Sequence, residues 1–463
     1  MKMTKRVLTV IVVVWCLCLL GLSQQAMAVN VTFDITRMSD MSDFDPNNPV
    51  VPTGDTIKIA VVASFSGPAA VVGQIYWICV QWVAHDINKR GGILVDGKKK
   101  LVQVIKADHQ SRPELCKKVC ERMVLKEKVH VLWGTNGSHL QKVMNQVADK
   151  YKVIALGTGS LSDELMDAQN FTRYAFMASF STEQIGRAAA YFYGQIRKKE
   201  KRFYIICQDY LYGHSIAEGF KKGLKEYYPA AEIVGEDYHR LFLTDFAPYL
   251  TKIKASGAEV IFTGDWIPDA ANLLKQARQM GIMLPFANIF LNEPNFLHEV
   301  GVEGTKGLVN ISQYGVEGGA FKTPEQIKYY RAWHDLWASG KWTAPFNTRL
   351  YEHGVGNMSS WKAQTYWLLS VIERAGSTKA KKIIKVFEGD TCQFTNGKIL
   401  EMRACDHKVI QDLHVQIYVP PEEQKQSFNI PPYYWYKGCS VTGPSFRIPR
   451  EKILPKADPK LCK

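Results

Sequence analysis

Apolar runs alternate with amphipathic stretches along most of the chain. The run at 57–63 is apolar apart from Lys58, and the stretch at 74–89 has the apolar spacing of a helix. Strands that are apolar throughout are buried on both faces, as in a parallel sheet that is covered by helices. The pattern therefore predicts an α/β fold with helices at 74–89 and 114–126 and strands at 57–63, 101–107, 129–133, 153–156, 203–207, 259–263 and 286–291.

Two helix starts can be located more closely. Ser181 precedes Gln184 by three residues, and Thr323 precedes Gln326 by three, which is the spacing of a capping box. Pro324 stands in the first turn, where a proline is tolerated. The sequence thus predicts helices that begin just after Ser181 and Thr323.

The amino terminus has the three parts of a secretory signal peptide. Three cations within the first six residues are followed by an apolar run at 7–20 and by a small-residue ending at Ala28. A membrane anchor is the alternative, but this run is shorter than the roughly 20 residues that cross a bilayer. We therefore expect residues 1–28 to be a cleaved signal peptide. Residues 29–56 are predicted as a polar extension that leads into the fold.

Length and charge indicate the class of protein. Removal of the leader from the 463-residue chain leaves a length that exceeds one usual hydrophobic core, so two domains are expected. The formal net charge is +14, and the leader contributes three of these charges. Lys and Arg are dispersed, without the basic and aromatic pattern of nucleic-acid binding, so we interpret them as solvated surface. Nucleic acid is not an expected partner.

Eight cysteines follow the leader, and export would expose them to an oxidising compartment. Their spacing does not fix the connectivity. Cys392 and Cys405 flank a predicted hairpin at Asn396–Gly397, which favours a bridge between them. A second bridge between Cys439 and Cys462 would pin the C-terminal tail.

Two patterns that could indicate a metal or a cofactor are incomplete. Cys116 and Cys120 stand one helical turn apart, but no second pair and no His at ligand spacing accompanies them, so no metal is expected. The Gly157–Gly159 stretch lacks the third glycine and the downstream acid of a dinucleotide fingerprint. The sequence therefore predicts no cofactor.

Small and hydroxyl residues follow three of the predicted strands. These strand-end loops are Ser64–Pro68, Gly134–Ser138 and Gly157–Ser160. Ligands of open parallel sheets bind beyond the carboxyl ends of the strands, where helix amino termini present N–H groups. Each loop alone could be an ordinary turn, but their shared place after successive strands predicts a site that fits a carboxylate.

Several short motifs, in order, resemble the leucine/isoleucine/valine-binding proteins, which are periplasmic type I solute receptors of ABC importers. The resemblance extends over roughly residues 57–420. It rests on the segments Ile57–Val62, Ser66–Pro68, Asp86–Gly92, Asp209–Gly213 and Lys275–Gly281.

The resemblance implies two Rossmann-like lobes with parallel sheets, joined by three crossovers, as in the type I periplasmic binding fold. The first lobe would hold residues 57–178 and 313–388. The second would hold residues 179–312 and 389–420. The Pro- and Tyr-rich stretch at 421–463 would be a tail on the body of the protein.

The resemblance also implies a set of ligand-binding residues. In that family a carboxylate clamp from the first lobe faces an aromatic lid and an acid that binds an ammonium group. On this chain the clamp maps to Ser138, Thr158, Gly159 and Ser160, the lid to Tyr212 and Trp266, and the acid to Glu293.

Three further residues are candidates for ligand contact. Asp265 adds an acid where the family often has glycine, and the adjacent Trp266 is a larger ring than the usual tyrosine. Phe65 and Tyr76 are aromatic and could contact an apolar or aromatic ligand. The side chain that the ligand presents is therefore not fixed by the resemblance.

The resulting hypothesis is a non-enzymatic, monomeric, periplasmic binding protein. Hinge closure would hold a carboxylate-bearing ligand, such as a branched-chain or related amino acid or an aromatic one, and present it to the membrane subunits of an ABC permease. A ligand-sensing module that signals to a membrane receptor is one alternative. An exported hydrolase is another, but no Gly-x-Ser-x-Gly elbow is present to hold a nucleophile.

Overall fold

The computed structural model describes residues 38–290, 294–313, 332–333, 336, 339–346, 357–393, 399–424 and 438–462. Four sequence predictions concern other residues: the signal peptide at 1–28, the acid Glu293, the cap at 323–326 and the hairpin turn at 396–397. Within the described ranges, the helices lack the length and hydropathy needed to span a bilayer.

The first lobe is built on a five-stranded parallel sheet with the strand order β4-β1-β5-β6-β7. Helices pack on both faces, and a short hairpin, β2–β3, precedes β4. The elements are β1 (Ile57–Ala63), α1 (Ala70–Lys89), β2 (Ile93–Val95), β3 (Lys98–Lys100), β4 (Val102–Asp108), α2 (Pro113–Leu125), β5 (Val131–Asn136), α3 (Ser138–Tyr151), β6 (Ile154–Gly159) and β7 (Ala175–Met177).

Strand β1 shows why an unbroken apolar run is needed in this sheet. Ile59 and Val61 point into one hydrophobic core, and Ala60 and Val62 point into the core on the opposite face. Successive side chains of a strand alternate between the two faces, so both sets must be apolar when helices cover both.

The second lobe contains a seven-stranded sheet with the strand order β17-β16-β12-β11-β10-β8-β9. Strands β8 to β12 pair in parallel, whereas β16 and β17 are antiparallel. Its elements are α4 (Thr182–Tyr191), β8 (Arg202–Gln208), α5 (Leu211–Tyr227), β9 (Glu232–His239), α6 (Ala247–Ala255), β10 (Val260–Thr263), α7 (Asp269–Gln279), β11 (Phe286–Asn288), α8 (Pro294–Thr305), β12 (Val309–Ser312), β16 (Leu413–Val419) and β17 (Val441–Ile448). The predicted α/β fold class is confirmed.

The described residues between β12 and β16 pack mainly on the first lobe. It forms α9 (Asn357–Ala375), α10 (Ala380–Phe387) and a small antiparallel sheet of β13 (Thr391–Gln393), β14 (Ile399–Met402) and β15 (Val409–Ile410). Cys392 and Leu400 of this sheet are buried in the core of the first lobe. Of the stretch 389–420, strand β16 is the part that joins the second sheet.

The described part of the polar extension is tied to the first lobe. The Phe44 ring is buried between Trp82 and Trp342, with ring centroids 5.1 and 5.7 Å away. The indole Nε1 of Trp342 donates to the Phe44 carbonyl (3.1 Å), and the Ser39 amide donates to Asp86 Oδ1 (2.7 Å). This segment is therefore part of the folded body.

In the described part of the chain, segments that pass between the lobes contact one another. Gln184 Nε2 donates to the carbonyl of Val409 (3.1 Å), and Gln313 Nε2 donates to Gln411 Oε1 (2.9 Å). The predicted capping box is confirmed, since Gln184 and Ser181 exchange side chain to backbone hydrogen bonds. The helix that opens the second lobe is thus fixed to the other crossovers.

Both predicted disulfides are wrong, because the structure joins Cys405 to Cys462. Cys392 lies inside β13, opposite Leu400, with its thiol buried in the first core, so it faces away from the turn that carries Cys405. The C-terminal segment returns to that turn, where Arg403 Nη1 donates to the Pro455 carbonyl (2.8 Å). Sequence spacing could not show this return of the chain.

Candidate functional site

A cleft lies between the carboxyl ends of the two sheets and is lined by both lobes. We use "the cleft" for this space. Its polar and small lining residues are Asn136, Gly137, Ser138, Thr158, Gly159, Ser179 and Gln313. Its aromatic lining residues are Tyr76, Phe180, Tyr210, Tyr212, Trp266, Phe290 and Trp361, and the aliphatic ones are Val72, Ile75, Leu161 and Ile267.

The first lobe presents a polar edge to the cleft. Ser138 opens helix α3 after Gly137, whose φ of 95° lies in the left-handed region that glycine tolerates. Thr158 is fully buried, and its hydroxyl has no hydrogen-bond partner among the described residues. An unpaired hydroxyl beside a helix amino terminus can receive an anionic group, because the helix dipole and the free N–H groups favour negative charge.

Tyr76 and Gly159 form one close-packed wall of the cleft. A Cβ atom on Gly159 would lie 1.6 Å from the Tyr76 hydroxyl oxygen, so this position accepts only glycine while Tyr76 stays in place. The Tyr76 ring makes edge-to-face contacts with Trp133 and Trp361, at centroid distances of 5.2 and 4.7 Å. Trp361 Nε1 also donates to the Thr158 carbonyl (3.1 Å), which ties helix α9 to the strand end.

The second lobe contributes an aromatic wall. Trp266 Nε1 donates to the Tyr210 hydroxyl (2.9 Å), so the two rings are fixed relative to each other. The Tyr212 hydroxyl is buried and has no partner among the described residues. Burial raises the pKa of Tyr212 well above its usual value, so this phenol stays protonated and can donate to a ligand. Tyr210 also meets His139 of the first lobe, with ring centroids 5.4 Å apart.

Six of the residues named from the sequence line the cleft, and three do not. The six are Ser138, Thr158, Gly159, Tyr212, Trp266 and Tyr76. Ser160 turns away, and its hydroxyl donates to the Thr135 carbonyl (2.6 Å). Phe65 packs toward Trp77, outside the cleft lining.

Asp265 is also turned away from the cleft. It is fully buried behind the wall, where His239 Nε2 lies 2.8 Å from its Oδ2. Consecutive residues of extended chain point to opposite sides, so the exposure of Trp266 to the cleft leaves Asp265 on the far side. Glu293 lies outside the described residues, and its proposed contact with an ammonium group stays a prediction.

The sequence interpretation missed several lining residues. Tyr210 had a usable signal, because it stands two residues before Tyr212 and just after the end of β8. Trp361 had none, because α9 reaches the cleft only after the chain has returned from the second lobe. Phe180 and Gln313 lie at crossovers, and their place depends on how the lobes meet.

A buried hydrogen-bond network supports the floor of the cleft. His109 Nδ1 accepts from the Ser111 amide (3.1 Å), so the proton is on Nε2, which donates to Thr135 Oγ1 (2.6 Å). The Ser64 hydroxyl oxygen lies 3.4 Å from His109 Nδ1, and the Ser64 amide donates to Asn136 Oδ1. Burial above all lowers the pKa of His109 to about 4, so the ring is neutral at pH 7.

This network has a structural role. Ser64 is fully buried, so its hydroxyl offers no attacking oxygen to a substrate in the cleft. His109 Nε2 is hydrogen-bonded to the Thr135 hydroxyl. In the triad of a hydrolase, the histidine is instead hydrogen-bonded to a carboxylate that orients it. Ser64 and His109 therefore position Thr135 and Asn136 at the strand end.

The two cysteines one turn apart are also part of the core. Cys116 and Cys120 are fully buried in α2. The hydrogen bond with Cys116 and burial raise the pKa of Cys120 well above its usual value. Among the described residues, the group with metal-ligand spacing is Cys405, Asp406 and Cys462, and its two sulfur atoms are bonded to each other.

Comparison with known proteins gives relatives of one family. The sequence profile of the periplasmic binding protein family matches residues 56–419. A Leu/Ile/Val-binding protein homolog of Brucella abortus is 26% identical over 262 residues, covering 54% of this chain and 60% of that protein. An amino acid binding protein of Pseudomonas aeruginosa is 29% identical over 235 residues, covering 50% and 59%. The matched region thus spans about 60% of the length of these curated relatives.

Solved structures share the fold at lower identity. A leucine-, isoleucine-, valine-, threonine- and alanine-binding protein from Brucella ovis, in a closed conformation, superposes with a TM-score of 0.71 at 19% identity, covering 89% of this chain and 99% of that one. A solute binding protein from R. palustris in complex with 4-hydroxybenzoate has a TM-score of 0.67 at 21% identity, covering 85% and 97%. The chain therefore belongs to the type I periplasmic binding proteins, in the leucine/isoleucine/valine-binding family.

Proposed function

We propose that this protein is the solute-binding component of an ABC importer, exported to the periplasm and monomeric, and that it binds a small carboxylate-bearing ligand. One observation carries the proposal. Thr158 from the first lobe and Tyr212 from the second both line the cleft with buried hydroxyls that have no partner among the described residues. A buried polar group without a partner is costly, and a ligand between the lobes would satisfy both.

The chemistry of the cleft favours a ligand with one polar end and an apolar body. The carboxylate would meet Ser138 and Thr158 at the amino terminus of α3, where a negative charge is stabilised. The body would lie against the rings of Tyr76, Tyr210 and Trp266. Within the described lining there is no Asp, Glu, Lys or Arg, which suits an aliphatic or aromatic body.

Known relatives bind ligands of both kinds. Family members named for leucine, isoleucine and valine support an amino acid, and neighbours in complex with 4-hydroxybenzoate or benzoate support an aromatic acid. An amino acid would also need a partner for its ammonium group, and Glu293 is proposed for that role. The test therefore has to separate zwitterions from simple anions.

Closure of the lobes would supply much of the affinity. Binding in a cleft between two lobes removes water from the aromatic walls and places donors from both lobes on one ligand. The crossovers that link Gln184 to Val409 and Gln313 to Gln411 would act as the hinge. The closed form would then be the one that the permease recognises.

A thermal-shift screen of residues 29–463 tests the proposal. The probes are leucine, valine, phenylalanine, benzoate, 4-hydroxybenzoate and acetamide. A ligand that binds only the native state stabilises it by about 2.7 kcal/mol at a hundredfold excess over Kd. The Thr158→Val variant should lose most of the shift, since it keeps the shape and removes the hydroxyl. Thr251→Val is the matched control, because Thr251 is an exposed residue of α6.

The outcomes separate the ligand classes. If leucine raises the melting temperature and Glu293→Gln removes the effect, the ligand is an amino acid. If the benzoates alone raise it, the site takes an aromatic acid and Glu293 has another role. If none of the probes shifts the melting temperature, or if Thr158→Val binds like the wild type, the proposed carboxylate site is wrong.

A further inference from the structure

Four polar side chains form a fully buried cluster behind the aromatic wall of the second lobe. Gln208 ends β8, His239 ends β9, Asp265 follows β10 and Asp269 opens α7. Gln208 Nε2 donates to Asp269 Oδ2 (2.6 Å), and His239 Nε2 lies 2.8 Å from Asp265 Oδ2. A polar cluster at the ends of three strands is unusual in an otherwise apolar lobe core, so a purely packing role does not account for it.

The His239–Asp265 pair holds one proton between its two members. His239 Nδ1 donates to the Arg240 carbonyl (2.9 Å), so the second ring nitrogen faces the carboxylate. Burial opposes the charged ring, but the hydrogen bond to Asp265 and its charge outweigh this and raise the pKa of His239. The pair is therefore neutral overall, and Asp269 is left as an additional buried carboxylate.

Each carboxylate leaves one oxygen unsatisfied. Asp265 Oδ1 and Asp269 Oδ1 are buried and have no hydrogen-bond partner among the described residues. A proton on Asp269 Oδ1 would turn this acceptor into an O–H donor and would remove the excess negative charge. Burial and the charge of Asp265 raise the pKa of Asp269 to about 6.

Asp269 is joined to the cleft through Phe242. The Phe242 amide donates to Asp269 Oδ2 (2.9 Å), and the backbone of Phe242 has a φ of 60°, which costs about 1–2 kcal/mol for a residue with a side chain. The Phe242 ring packs on edge against Trp266, with centroids 5.8 Å apart. Trp266 lines the cleft and donates to Tyr210. The Asp269 carboxylate thus holds a strained turn under the aromatic wall.

We propose that Asp269 is a positioning residue of the ligand cleft: its carboxylate holds the Phe242 turn behind Trp266, and its charge lowers the affinity of the cleft for anions. The proposal rests on the proposed function, since the cleft must bind a solute. Protonation of Asp269 removes the buried negative charge behind the aromatic wall. An anionic ligand should then bind more tightly.

Other titratable groups that interact with the cluster do not change charge near neutral pH. They are the Cys207 thiol and the Tyr210 and Tyr212 phenols, and burial raises the pKa of each. A change in melting temperature or affinity near pH 6 is therefore assigned to the cluster of His239, Asp265 and Asp269.

The first arm of the test uses the ligand-free protein. Asp269→Asn keeps an acceptor for the Phe242 amide and removes the negative charge, so it mimics the protonated carboxyl. Asp269 protonates in the native state at a higher pH than in the unfolded state, so native stability falls as pH rises from about 4 to 6. The melting temperature of Asp269→Asn minus that of the wild type should therefore grow from pH 4.5 to 6 and stay constant above.

The second arm measures binding. Calorimetric titration with 4-hydroxybenzoate, and with leucine, at pH 5 and 7.5 should show severalfold tighter binding of the anion by the wild type at pH 5. Asp269→Asn should bind alike at both pH values. Phe242→Leu should weaken binding at both, while keeping the pH dependence. Asp245→Asn is the matched control, because Asp245 is an exposed carboxylate of the same turn.

The two arms fail in different ways. If the melting-temperature difference is the same at every pH, Asp269 does not titrate as proposed. If it does titrate but the affinity for the probe that binds does not follow it, the link to the cleft is wrong. If neither probe binds, the proposed ligand class fails, and the first arm still decides whether Asp269 titrates as proposed.

Discussion

The buried ring of His109 should make the first lobe sensitive to acid. Its pKa of about 4 in the native protein, against 6.5 for an ordinary histidine, means that the native state resists protonation. The unfolded chain takes up a proton below pH 6.5, so stability is full above that value and falls as the pH drops to about 4. At about 1.36 kcal/mol per pKa unit, the loss approaches about 3 kcal/mol.

Removal of the imidazole should remove this pH dependence. In His109→Gln the amide can still accept from Ser111 or donate to Thr135, so we expect a loss of about 1–2 kcal/mol at pH 7. Urea unfolding at several pH values between 4 and 7 gives the free energy of each variant. The free energy of unfolding of the wild type minus that of His109→Gln should fall by about 3 kcal/mol from pH 7 to 4, so it changes sign and the variant is the more stable protein at pH 4.

The comparison between variants isolates one group. Asp269 titrates in the same range with the opposite sign, and it contributes equally to both proteins and cancels. His214→Gln, at an exposed position of α5, is the matched histidine control. A constant difference between wild type and His109→Gln from pH 7 to 4 would refute the argument, because it would mean that His109 protonates equally in the native and unfolded states.

Two further changes test the packing of the cleft and the tail. Gly159→Ala should cost about 1–3 kcal/mol and abolish ligand binding, because the new Cβ meets the Tyr76 hydroxyl and Trp361 prevents the ring from moving. Urea unfolding checks the cost, and partial recovery of stability in the double variant with Tyr76→Phe would identify the clash. Cys405→Ser and Cys462→Ser should each cost about 2–4 kcal/mol, and the double variant should cost no more than one of them. Additive losses would show that the two sulfur atoms do not pair.

The parts of the fold that the sequence predicted are those set by local patterns. The apolar run at 57–63 predicts a strand buried on both faces, and the strand that forms there shares its side chains between two cores. Small residues after β5 and β6 predict a polar strand end, and Ser138 and Thr158 do line the cleft. In each case the relevant neighbours are close in sequence or fixed by strand order.

The parts that escaped the sequence depend on contacts between distant segments. Trp361 reaches the cleft on a helix that returns from the second lobe, and no spacing rule relates it to Thr158, whose carbonyl it binds. Cys462 meets Cys405 because the C-terminal segment folds back across the molecule. Asp265 was expected in the cleft because it adjoins Trp266 in the chain. Since Trp266 faces the cleft, the Asp265 side chain points to the opposite side and is buried.

The unsatisfied hydroxyls of the cleft indicate where the energy of closure comes from. Thr158 and Tyr212 each have a buried hydroxyl that is unpaired among the described residues, at a cost of about 1–3 kcal/mol for each group. Opening the cleft would expose both hydroxyls to water, so the empty protein has a reason to open. A ligand that accepts from Thr158 and Tyr212 at once removes both penalties, so closure becomes favourable only around the correct solute. Selectivity and closure would then depend on the same two side chains, one in each lobe.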